Sequence, residues 1–179
     1  MLRKLLKGFT TFDLVIIALL SAGGIATKPF VRLLTQIATG TLIPSGAVAG
    51  VIYMFWIVLA CSITKKRGTA ILVGIVQSML VIVFDMLGNK GVANLLVYIM
   101  PGIALELVML FFPRYVGSVF SGFVAGMVAN ATGTLIMGLI FMRLPVIPLA
   151  ISLGIASFFG GIGGVFGFSL FRVMKRFGN

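Results

Sequence analysis

Six apolar runs follow one another along this chain with only short polar breaks between them, which leaves lipid as the solvent for most of its residues. They lie near residues 12–27, 45–63, 69–87, 91–112, 115–142 and 145–173. A helix of about 20 residues, rising about 1.5 Å per residue, crosses a hydrocarbon core of about 30 Å. The last two runs exceed that need, so tilting, a kink or an irregular turn is expected there. The runs are continuously apolar and lack the alternation of a barrel strand. Composition agrees: with 60% hydrophobic and 9% charged residues, a chain of 179 residues has too little polar surface to coat a soluble globule. The expectation is an all-α integral membrane protein of the cytoplasmic membrane. Residues 1–179 would form a single transmembrane domain, a bundle of about six helices.

The cations set the expected sidedness. Arg3, Lys4, Lys7, Lys65, Lys66, Arg67, Arg114, Arg172, Lys175 and Arg176 fall on one side, whereas Lys28, Arg32, Lys90 and Arg143 fall on the other. The positive-inside rule places the larger group in the cytoplasm and with it both termini. Residues 28–44 then form an outer connection, either a lid that dips back or an interfacial helix. The basic opening followed by a hydrophobic stretch reads as a retained helix rather than a cleaved signal. A net charge of +11 does not indicate a nucleic-acid partner, because the cations form short clusters at helix ends beside lipid headgroups.

Several chemistries are excluded by residue type. The chain has no histidine, so neither an imidazole base nor a histidine-rich metal site is available. Its acids are Asp13, Asp85 and Glu106, too scattered for a paired-carboxylate site, and no phosphate-loop motif is present. No catalytic residue, metal site or cofactor is expected. The single Cys61 reads as a small packing residue.

An ionised group deep in a span costs about 2.5–3.5 kcal/mol on insertion scales, so each acid calls for an explanation. Asp13 stands three residues after Thr10 at the start of the first run and reads as a helix cap. Asp85, Asn94, Tyr98 and Asn130 come from three spans and, counted along their helices, reach a similar level in the outer third. Trp56 and Gln77 fall nearer the middle and would floor a cavity, with Trp56 offering a face for stacking. These six are the candidate substrate-binding residues. The alternative for each is interhelical hydrogen bonding and packing. Glu106, near the inner end of its run after Pro101 and Gly102, would pair with Arg114, meet a partner or face a cavity.

Small residues recur at every fourth position in three places: Ala18, Ala22 and Ala26; Ser118, Gly122 and Gly126; and Gly160 with Gly164 beside Gly163 with Gly167. Such faces let a second backbone approach closely, whether from within the bundle or from another subunit.

In size, number of spans, inner termini, lack of ATPase motifs, a long outer first connection and the Ala18, Ala22, Ala26 series, the chain resembles a substrate-binding S component of the energy-coupling factor (ECF) vitamin importers. The resemblance implies capture of a small water-soluble vitamin or precursor from outside, delivered with a transmembrane coupling subunit and two ABC ATPases. It also implies that Ala18, Ala22 and Ala26 dock the coupling subunit. The Lys65-Lys66-Arg67-Gly68 turn, the Leu87-Gly88-Asn89 turn and Gly102 followed by Glu106 are similar to the thiamine and hydroxymethylpyrimidine branch. A cargo of that kind would stack near Trp56 or Tyr98 and pair with Asp85. The competing readings are a structural or regulatory membrane subunit without cargo and, third, an intramembrane enzyme.

Overall fold

The apolar runs become six helices in the computed structural model, which describes residues 8–39, 44–84 and 93–177. They are α1 (Thr11–Thr39), α2 (Ser45–Thr64), α3 (Thr69–Val83), α4 (Ala93–Met109), α5 (Val119–Ile136) and α6 (Val146–Phe177). A π-helical turn, Met137–Phe141, prolongs α5 and takes up part of the excess length anticipated for that run. Four segments are long and apolar enough to cross a membrane: Thr11–Ile37, Ser45–Thr64, Val119–Phe141 and Val146–Phe177. The chain is an all-helical membrane protein.

One boundary differs from the sequence reading. Residues 28–39, expected to begin an outer connection, continue α1 as helix straight through Pro29. A lysine followed by proline is ordinarily a stop, because proline lacks the amide that the carbonyl four residues earlier would accept. Inside a membrane bundle, neighbouring side chains compensate the backbone. The carbonyl that Pro29 leaves without its helical donor is that of Ile25. On either side of it the Thr27 hydroxyl donates to the Gly24 carbonyl at 3.0 Å and the Tyr53 hydroxyl reaches the Lys28 carbonyl at 3.5 Å. Pro101 likewise leaves α4 unbroken.

The helices close a ring in the order α1, α3, α4, α5, α6, α2, with α2 also touching α3 and α5. Glycine decides how tightly one wall closes. A Cβ on Gly126 would strike the Gly160 carbonyl, one on Gly164 the Gly122 carbonyl, and one on Gly163 the Val51 carbonyl of α2. The small-residue series of α5 and α6 therefore serve internal packing, bringing three backbones into contact. Ser118 instead caps α5: it accepts from the Ser121 amide at 3.1 Å, and Ser121 Oγ accepts from the Ser118 amide at 2.9 Å.

The end of the bundle shared by Thr11 and Phe177 is thoroughly tied. Asp13 accepts from the Thr10 amide at 2.7 Å, the Thr10 hydroxyl at 2.8 Å and Lys66 Nζ at 2.6 Å, so it caps α1 and pins the α2–α3 turn. That turn uses left-handed backbone at Lys65 (φ 52) and Gly68 (φ 93). Among the described residues Glu106 forms no ion pair with Arg114. Its Oε1 accepts from the Ala70 amide at 3.0 Å, capping α3 from α4, and from the Tyr115 hydroxyl at 2.6 Å. Burial pushes the Tyr115 phenol far above its ordinary value, so it remains a donor to Glu106.

Candidate functional site

The inward face of α1 carries Ile17, Ser21, Gly24, Ile25 and Lys28, spaced as one helical stripe. Gly24 is the point where three helices meet. A Cβ there would lie 2.7 Å from Gln77 Nε2 of α3 and 3.4 Å from Trp56 Cβ of α2, and one on Gly23 would lie 3.0 Å from the Trp56 ring. Because α1 has no side chain at these two positions, the indole and the amide can sit against its backbone.

One turn beyond Gly24, Lys28 turns inward between two tyrosines. Its Nζ lies 3.7 Å from the ring centroid of Tyr98 on α4 and 5.0 Å from that of Tyr53 on α2. Tyr98 is buried against Ile25 and Val81. No carboxylate among the described residues faces the lysine, and the ion pair found there is Lys66 with Asp13. The tyrosine faces offer cation–π attraction but accept none of the amine's hydrogens in line.

Below Lys28 the polar groups lack partners. Trp56 Nε1 and Ser21 Oγ are both buried without a hydrogen bond. Leaving a buried donor unpaired costs about 1–3 kcal/mol, so such atoms call for an explanation, and a bound molecule is one. The cluster gathers an aromatic wall, an amide, a hydroxyl, an indole N–H and an amine, groups of the kinds that recognise a small polar molecule.

Of the six candidate binding residues, the structure brings Trp56 and Gln77 together at Gly24, with Tyr98 above them beside Lys28. Asn130 stands elsewhere, in the joint between α2, α5 and α6. Its amide donates to the Ala47 carbonyl at 3.0 Å and the Ala156 carbonyl at 2.8 Å, and Gly50 and Gly160 leave the space it fills. Both of its donor hydrogens are spent on backbone, as in an interhelical fastening. Asp85 lies outside the described residues, as does the side chain of Asn94.

Sequence reasoning missed Ser21, Lys28 and Tyr53. Lys28 was counted with the outer loop because it precedes proline. Extending the stripe from Ile17 through Ser21, Gly24 and Ile25 by one more turn would have found it, and Tyr53 lies one turn from Trp56. Ala18, Ala22 and Ala26 are exposed on the outward face of α1, amid Val15, Leu19 and Phe30.

A family model described as the permease component of an ABC-type cobalt transport system matches residues 12–132. The chain belongs to this family. The match runs from α1 into α5 and so includes every residue of the cluster around Gly24 and Lys28. The protein is thus a membrane component of ECF-type transport, in a transport family rather than a catalytic one. No curated protein and no solved structure matches the chain.

Among the described residues no set of side chains is arranged to bind cobalt. Histidine is absent, and the described residues contain no group of three histidine, cysteine or acidic side chains. Cys61 is buried with its sulfur 3.3 Å from the Tyr115 hydroxyl, and Asp13 and Glu106 are both engaged at the tied end. A divalent cobalt ion needs several such ligands converging on one point.

Proposed function

We propose that this protein is the substrate-binding subunit of an ECF-type importer. It captures a small, flat, water-soluble organic molecule from the outer side and hands it on with a transmembrane coupling subunit and two ABC ATPases. The observation that carries this reading is a pair of buried polar groups without partners, Ser21 Oγ and Trp56 Nε1, gathered with Gln77, Tyr53, Tyr98 and the ring-flanked Lys28 amine inside an otherwise apolar bundle. A non-transporting structural subunit has no use for such a cluster.

The sidedness follows the cations: the end with Lys65, Lys66, Arg67, Arg114, Arg172, Lys175 and Arg176 faces the cytoplasm, and Lys28 opens toward the outside. The alanine face of α1 docks the coupling subunit, since it is exposed and close backbone approach is open there. Among cargoes of the thiamine and hydroxymethylpyrimidine kind, the uncharged pyrimidine suits the site better. Its ring nitrogens accept hydrogens from an amine and an indole, whereas the thiazolium of thiamine would meet Lys28 with like charge.

Calorimetry on the purified full chain, without ATP, tests the reading. Saturable binding of hydroxymethylpyrimidine is expected, with thiamine bound more weakly. Vesicles containing the chain alone should bind but not accumulate it, and accumulation should appear when a coupling subunit and ATPases are added. Concentrative uptake by the chain alone, or no binding of any vitamin-sized organic compound, overturns the assignment.

A further inference from the structure

A hollow opens at the end of the bundle shared by Thr11 and Phe177. Lys65 closes α2, Arg114 lies in the α4–α5 connection, and Arg172, Lys175 and Arg176 come from the last turns of α6. All five line one hollow of about 810 Å³, whose other walls include Tyr115, Val116, Phe168 and Phe171. No acid lines it. Among the described residues none of the five forms an ion pair, and Lys65 Nζ rests 5.0 Å from the Phe171 ring centroid.

The preference for cations at helix C-termini and at one membrane face accounts for positive residues at this end. It does not account for three separate segments turning them into a single hollow, where like charges repel. Two non-glycine residues at its rim hold left-handed backbone, Lys65 at φ 52 and Val116 at φ 39, and for a β-branched valine that conformation is strained. The positive charge is collected at a conformational cost, and a counter-charge would relieve it.

The surroundings say which counter-charge. On α6, interleaved with the cations, Leu170, Val173, Met174 and Phe177 are exposed and apolar, a surface suited to hydrocarbon. We propose that the hollow binds the phosphodiester headgroup of an anionic phospholipid, whose acyl chains run along this stripe of α6. Basic pockets between membrane helices recognise such headgroups through their cations. Inorganic phosphate shares the chemistry but has no use for the apolar stripe.

Native mass spectrometry and thermal unfolding of the full chain in detergent, titrated with phosphatidylglycerol, phosphatidylcholine or inorganic phosphate, provide the test. Phosphatidylglycerol should be retained and raise the unfolding temperature, while the other two do neither. Removing two cations from the hollow (Arg114→Gln with Lys175→Gln) should weaken phosphatidylglycerol about tenfold or more. Removing two elsewhere (Arg67→Gln with Arg143→Gln) should leave it within about twofold. Arg176→Gln alone, on the exposed last turn, should weaken it by about fivefold. Equal losses in the two double variants would reduce the effect to diffuse surface charge, and equal stabilisation by inorganic phosphate would make the hollow a soluble-anion site. Either result overturns the lipid assignment, as does retention of phosphatidylcholine to the same extent.

Discussion

The two ends of the helical ring treat polar groups in opposite ways. At the end shared by the first and last helices, Asp13 holds Thr10 and Lys66, Glu106 holds Ala70 and Tyr115, and the Thr64 and Thr69 hydroxyls meet at 2.8 Å. Around Gly24 and Lys28, the buried Ser21 hydroxyl and Trp56 indole N–H have no partner, and among the described residues the lysine amine lies against the Tyr53 and Tyr98 rings. Buried polar groups in a membrane interior are ordinarily paired, so the first region reads as scaffold and the second is the one we propose is completed by what it binds.

The sharpest way to break that contrast is Glu106→Ala. It strands the Ala70 amide and the buried Tyr115 hydroxyl, and a loss of about 2–3 kcal/mol in unfolding free energy is expected, measured in detergent by denaturant titration. Cargo affinity of the folded fraction should stay unchanged. Lost affinity at unchanged stability would move Glu106 into the site.

A smaller effect of opposite character is expected from Lys28→Met, which keeps the length of the side chain and removes the amine. Cargo binding should fall about tenfold, while stability holds or rises slightly because no internal partner is stranded. If stability instead falls and binding does not, the lysine belongs to the scaffold.

The smallest change tests the tied end against its own surface. Lys66→Gln removes the ion pair to Asp13, but the lysine side chain is 35% exposed and Asp13 keeps its bonds to Thr10. A cost below about 1 kcal/mol is expected, read as a shift in the denaturant midpoint.

The fold was legible in the sequence wherever hydropathy alone decides it. The run at 45–63 became Ser45–Thr64, and that at 145–173 became Val146–Phe177. What misled was Lys28-Pro29, because a cation and an imino acid weigh against helix when taken one residue at a time. Their cost depends on which neighbours face them, and that becomes visible only in three dimensions. The same limit applied to Asn130 and Tyr98, which sit at comparable depths yet belong to different joints. Counting along a helix gives height but not azimuth relative to the other helices. Ser21 carried no signal by itself, since a lone serine in a span more often bonds its own backbone, as Ser62 does to the Val58 carbonyl at 2.7 Å.

The glycine contacts of α2, α5 and α6 have a mechanical consequence. Backbones that touch through Gly122, Gly126, Gly160, Gly163 and Gly164 have no compliant side chains between them, so sliding one past another means prising all three apart. These helices act as a plank. The other half of the ring, α1 with α3 and α4, meets it at α1 through the side chains of Trp56 and Tyr53 rather than through bare backbone. On the function proposed above, a rearrangement that admits or releases a molecule would separate the bundle at the seam along α1 before it separated the plank. That seam carries the lysine on its inner face and the alanines on its outer face, so a push from outside the bundle and a grip within it act on one and the same rod.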